Sequence, residues 1–198
     1  MRGVVWCLLC VPLAALAGEI LDSSAILDDG VYTLTLTARI DAPPAIVQQL
    51  ITDYDRLTEI NSSLTESRVV MEHSPVKHRV HTVIQACILF FCRSVTQVQD
   101  ITRDTDGHIE ALILPALSDF RQGSARWDLD AAGNGTTMHF SATLEPSFWV
   151  PPLIGTLVIR GTVKRSAFDA AVRIEELALA AIAEKEAAIA IEANEPTD

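Results

Sequence analysis

Residues 151–192 constrain the fold more than any other stretch of the chain. Phe148-Trp149-Val150-Pro151-Pro152 opens it, and no further proline occurs until Pro196. Paired prolines suit a helix entry, because the first turn has backbone N–H groups without intrahelical partners. On a 3.6-residue period Ile154, Leu157, Val158, Gly161, Phe168, Val172, Leu179 and Ala183 fall on one stripe. Arg160, Lys164, Arg173, Glu184 and Lys185 fall mostly off it. A straight helix of this length spans roughly 60 Å, more than the width of a small domain. Its Ala/Glu-rich end, residues 178–193, is therefore expected to overhang. Gly155 and Gly161 each cost about 1 kcal/mol relative to alanine in a helix interior, and Arg165 sits within the apolar arc. Two readings follow. Either a sheet packs closely against the glycines while Arg165 snorkels, or the helix roofs a cavity with room above Gly161 for a ligand.

The chain before this helix is mostly strand. Residues 31–40 alternate, with Tyr32, Leu34, Leu36, Ala38 and Ile40 on one face and Thr33, Thr35, Thr37 and Arg39 on the other. Asp41-Ala42-Pro43-Pro44 stops that strand and starts a helix through about Thr52, with Ile46, Val47, Leu50 and Ile51 inward. Asp53 or Asp55 is placed to cap a second short helix ending near Ile60. Six strands are then expected at about 65–73, 76–86, 92–103, 107–115, 123–131 and 136–145. Ser74-Pro75, Asp104-Thr105-Asp106-Gly107, Gln122-Gly123 and Ala132-Gly133-Asn134-Gly135 separate them with good turn chemistry.

The N-terminus has the character of a secretory signal. Arg2 precedes the apolar run Val4 to Leu16, and Ala15-Leu16-Ala17 fits small-x-small cleavage before Gly18. Cleavage would remove Cys7 and Cys10 and set an oxidising, periplasmic compartment. The expected organisation is a signal peptide at 1–17, a polar leader at 18–30, one domain at 31–180 and a helical extension and tail at 181–198. A formal charge of -11 argues against nucleic acid or an anionic membrane as a partner held by bulk charge.

Cys87 and Cys92 bracket Ile88-Leu89-Phe90-Phe91. On one continuous strand they would lie about 16 Å apart on opposite faces, beyond disulfide reach. A hairpin tip between them makes a cross-strand pair and sets Arg79 opposite Asp100. Closing so small a loop stabilises by roughly 2 kcal/mol on the chain-entropy account. The apolar tip has no turn-forming residue, which marks it as a contact for a membrane, a protein or the mouth of the cavity. The five histidines are dispersed over separate strands or opposite faces, with no metal-ligand spacing. No nucleophile elbow, phosphate-binding loop or cofactor motif occurs. Asp119, Arg121, Arg126 and Asp128 gather near one end of the sheet, as a polar gate or a surface salt-bridge ladder.

Three segments carry a resemblance. Ile40-Asp41-Ala42-Pro43-Pro44 leads into Leu50-Ile51-Thr52-Asp53-Tyr54-Asp55-Arg56-Leu57. Ser118-Asp119-Phe120-Arg121-Gln122-Gly123 precedes Arg126-Trp127, and Glu145-Pro146-Ser147-Phe148-Trp149-Val150-Pro151-Pro152 follows. With the element order, they make the chain resemble the START-like, or helix-grip, superfamily. Within it the chain is similar to bacterial polyketide cyclase/dehydrase-like and coenzyme Q-binding START-domain proteins. The resemblance spans about residues 31–177 and implies an α+β fold. A curved antiparallel sheet of about seven strands would wrap a long C-terminal helix and hold a hydrophobic molecule between them. It departs from the family pattern in the signal peptide and the Cys87/Cys92 pair.

The function expected is binding of a quinone- or lipid-like molecule by an exported domain. Leu34, Leu36, Trp127 and Phe140 would wall the pocket, Leu157, Gly161 and Phe168 would roof it, and Arg165 would meet an anionic or carbonyl group. A cyclase or dehydratase in the same pocket needs an inward acid–base pair, and none is evident. An envelope interaction protein acting through the hairpin tip is the third reading.

Overall fold

The structure is a computed structural model that describes residues 18–88, 91–104, 106–150 and 156–192. Alternation in residues 31–40 becomes strand β2 (Val31–Ile40), whose Tyr32, Leu34, Leu36, Ala38 and Ile40 are all buried. Residues 19–28, expected to belong to a leader, instead form strand β1 (Glu19–Asp28), antiparallel to β2. The turn between them is Asp29-Gly30, with φ of 45° and 81°. Two left-handed residues in succession suit a tight hairpin, and Asp-Gly supplies them cheaply.

After β2, Pro44 sits in the first turn of helix α1 (Pro44–Ile51), whose Val47 is fully buried. A 3-10 turn (Tyr54–Arg56) leads to helix α2 (Leu57–Ile60). Neither Asp53 nor Asp55 caps a helix through its side chain. Asp55 Oδ1 instead accepts a hydrogen bond from Val69 N–H at 2.8 Å, fastening this segment to strand β3 (Leu64–Ser74).

Strands β4 (Lys77–Ile88), β5 (Phe91–Arg103), β6 (Ile109–Ile113), β7 (Phe120–Ala132) and β8 (Gly135–Pro146) follow. One antiparallel sheet of eight strands results, in the order β1-β2-β8-β7-β6-β5-β4-β3, one strand more than expected because of β1. The β4–β5 register is the anticipated one, with Arg79 opposite Asp100 and Cys87 disulfide-bonded to Cys92. Leu89 and Phe90 of the apolar tip lie outside the described residues, as do the side chains of Ile88 and Phe91.

Arg79 donates to both Asp100 oxygens, at 2.7 and 3.0 Å. This guanidinium holds the Asp100 carboxyl below the usual carboxylate range. A depressed folded pKa means stability that is present above the unfolded value and lost as pH falls through the folded one. Asp100→Asn should therefore lower the melting temperature at neutral pH. Its deficit against the wild type should shrink below about pH 4, where the unfolded carboxyl protonates. Melting curves across that range check this.

Helix α3 (Thr156–Glu192) packs on β1, β2, α1 and α2. Its buried face is Ala171, Ile174, Glu175 and Ala178, with Ala167 half-buried, rather than the stripe expected from periodicity. Phe168 and Leu179 of that stripe are 46% and 55% exposed. Alanine at three of these positions lets the helix approach the strands closely, which a phenylalanine would prevent. Beyond Ala178 the helix continues with Ile189 and Ile191 exposed.

Candidate functional site

Directly paired residues of antiparallel strands share a face, so the register maps the helix-facing side of the sheet. One row across it is Leu36, Phe140, Trp127 and Ile109. The next is Leu34, Ala142, Ala125 and Ala111, and beyond it come Tyr32, Leu144 and Gly123. The middle row thus has three alanines on adjacent strands, with Gly123 next to them in the row beyond, so short side chains make a shallow trough in the sheet surface.

The apolar core around this row forms three clusters. One cluster joins Leu36, Ala38, Ile40, Val47 and Met138 to Ala171, Ile174 and Ala178 of α3, with Trp127 and Phe140 packed against it. A second gathers Tyr54, Val80, Ile101, Ile109 and Ala111. A third is Val95, Ile113 and Phe120, with Ile84, Leu144 and Phe148 against it. A domain of this size usually has one contiguous core. Here Trp127 packs against both the first and the second, Ala111 and Ala125 fall with the second, and the first and third share no residue, with Leu34 and Ala142 between their rows.

Toward the N-terminal half of the helix its sheet-side face is no longer buried. Lys164, Ala171 and Ala178 are seven residues apart and share a face. Ala171 and Ala178 are fully buried, whereas Lys164 is exposed. Gly161 is exposed too, and a Cβ built on it would meet nothing within 4 Å. Close helix–sheet contact is therefore not what this glycine provides.

Polar side chains also face the same side as the apolar rows, Gln97, Gln99 and Thr82 among them. Gln99 is 7% exposed and pairs across the sheet with Ile113 and Val80. Gln97 Nε2 donates to Gln99 Oε1 at 2.7 Å, and the buried Thr82 hydroxyl donates to the Gln97 carbonyl at 3.3 Å. These three were not anticipated. The signal was available in Val95-Thr96-Gln97-Val98-Gln99-Asp100-Ile101, where strand alternation puts both glutamines in line with Val95 and Ile101.

Of the residues expected at the site, the register brings Leu34, Leu36, Trp127 and Phe140 together. The Trp127 and Phe140 rings pack at 5.1 Å between centroids, tilted by 44°. Gly161, Arg165 and Phe168 are exposed on α3, and the side chain of Leu157 lies outside the described residues. Among the described residues, recesses also occur elsewhere. One of about 190 Å³ is lined by Thr52, Tyr54, Pro75, Val76, His78 and Arg103. There burial pushes the Tyr54 hydroxyl pKa up, against the pull of the Arg103 charge. Another, about 300 Å³, is on the outer face among Thr33, Glu110, Leu112, Ser124, Arg126, Ser141 and Thr143, with Ala111, Ala125 and Ala142 also lining it.

The charged group near the sheet end is a ladder on that outer face. Arg126 bridges Glu110 and Asp128, and His108 also contacts Asp128. Arg126 and then His108 hold the Asp128 carboxyl below its usual range. Arg121 pairs with Glu145, and Asp119 accepts the Thr96 N–H.

One antiparallel sheet with a long C-terminal helix laid along one side defines the START-like, helix-grip fold. The family described as polyketide cyclase / dehydrase and lipid transport matches residues 32–184, and the chain belongs to it. Solved structures agree on the fold. A START superfamily protein from Mycobacterium smegmatis superimposes with a TM-score of 0.60 at 14% identity, covering 73% of this chain and 98% of that one. An aromatase/cyclase, Zhui, from a Streptomyces species gives 0.60 at 12% identity, over 75% and 93%. A STAR-related lipid transfer protein fragment from Xanthomonas axonopodis gives 0.57 at 11% identity, over 77% and 98%. No curated protein matches the chain.

Proposed function

We propose that this chain is an exported carrier that holds a quinone- or lipid-like molecule between the inner face of the sheet and the N-terminal half of α3. The observation that carries this is the row of short side chains, Ala142, Ala125 and Ala111 beside Leu34, on the helix-facing side of the sheet. An apolar ligand lying there would be driven in by burial of its surface. Leu36, Trp127 and Phe140 form one wall. Gln97 and Gln99 are better placed than the exposed Arg165 to meet a carbonyl or hydroxyl group. The family's lipid-transport description and the lipid transfer protein among the similar structures support a carrier. The signal-like residues 1–17 and the Cys87–Cys92 disulfide support export to a periplasmic, oxidising compartment.

A cyclase reading finds less support. The recess at Tyr54, His78 and Arg103 offers titratable groups, but pockets for drug-sized ligands run from about 300 Å³ upward.

Gly161→Leu tests the roof. With open space above the glycine, leucine should keep or raise stability, by up to about 1 kcal/mol from helix propensity. Titration with a fluorescent quinone or fatty-acid analogue should show binding weakened at least about tenfold, or 1.4 kcal/mol. Unchanged affinity would remove Gly161 from the site.

A further inference from the structure

We infer that Gly18 is the N-terminal residue of the working protein and that buried Glu175 is the receptor for its ammonium group. The inference rests on export and leader removal, and goes beyond them to a specific site. Glu175 is the one carboxylate among the described buried side chains, at 4% exposure, on the otherwise apolar face of α3. Its Oε2 accepts hydrogen bonds from Gly18 N–H and from Asp41 N–H, each at 3.0 Å. Among the described residues no lysine, arginine or histidine pairs with it. The Arg39 guanidinium is directed to the Asp41 carboxylate and the Ala132 carbonyl instead. A buried carboxylate held only by neutral amides is costly, and proteins keep such charges when a cation meets them.

Gly18 is where that cation arises. Ala15-Leu16-Ala17 immediately precedes it. A secretory endopeptidase would add water across the Ala17–Gly18 peptide bond, leaving a carboxylate on Ala17 and an amine on Gly18. An α-amino group titrates near pH 7.7–8.0 and gains a proton readily beside a carboxylate. The amide donor at 3.0 Å from Glu175 thereby becomes an ammonium in the same place.

The position also demands glycine. Its φ is +60°, and a Cβ there would lie 2.9 Å from Val172 N and 3.1 Å from the Ala171 carbonyl carbon. The new N-terminus is thus seated directly on the α3 backbone. Processing and helix docking become one event, with the ion pair fixing α3 to the start of β1.

Intact mass of the exported protein and a two-by-two set of variants test this. Chains starting at Gly18 or at Ala17, each with Glu175 or Glu175→Gln, are compared by thermal melting. The Gly18 start should melt at least about 5 °C above the Ala17 start, and Glu175→Gln should abolish that difference. Exported protein that begins elsewhere overturns the processing reading. A start at Gly18 with equal melting temperatures, or a difference that survives Glu175→Gln, overturns the receptor alone. Should Glu175→Gln not fold, the two wild-type starts decide, and equal melting overturns the pair. Ligand affinity is a separate readout and stands or falls independently.

Discussion

Ile174→Ala should cost about 2–5 kcal/mol, the range for a large aliphatic side chain removed from a packed core. For a domain of this size that is a fall of about 4–20 °C in melting temperature. Phe168→Ala should change stability by less than about 1 kcal/mol despite removing a larger side chain. Ile174 is 2% exposed and joins Leu36, Ile40, Val47 and Met138, whereas Phe168 is 46% exposed. The comparison tests which face of α3 grips the sheet. Equal losses would mean the helix is rotated toward the stripe that periodicity suggests.

The second large effect is on binding. Ala125→Phe places a ring in the trough between Ala111 and Ala142, where the proposed ligand lies. Affinity for a fluorescent quinone or fatty-acid analogue should fall at least about tenfold. Stability should change little, because the ring takes the place a ligand would fill. If the trough is already packed by protein, overpacking should cost about 1–3 kcal/mol, and the protein would lose melting temperature rather than affinity alone.

Much of this architecture was legible because local chemistry and global pairing agree. Most strand ends followed turn residues, and the Cys87/Cys92 spacing set the β4–β5 register through to Arg79 and Asp100. Gln122-Gly123, expected as a turn, instead lies inside β7, whose start follows the Pro115–Leu117 turn. Strand β1 was missed because Glu19-Ile20-Leu21-Asp22-Ser23-Ser24 does not alternate, and a bulge between Ile20 and Asp22 shifts its register. Its Asp29-Gly30 turn was the available hint. The helix face was misjudged because hydropathy favours Phe168 and Leu179 over Ala171 and Ala178. What decides the contact is closeness of approach, for which alanine is the better residue. Glu175 on the buried side was invisible to a hydropathy pattern, since only its tertiary donors make burial tolerable. At the site, walls on one sheet followed from alternation. The position of α3 over them depends on long-range packing that periodicity does not encode.

The central claim is that an apolar molecule occupies the space between the sheet and the N-terminal half of α3. Native mass spectrometry of the exported protein, paired with organic extraction and mass analysis of what is released, tests it most directly. The account predicts a non-covalent adduct with the mass of a quinone or lipid, lost on extraction and weakened in Ala125→Phe. Protein that runs at its bare chain mass and fails to take up any quinone or lipid offered would contradict it.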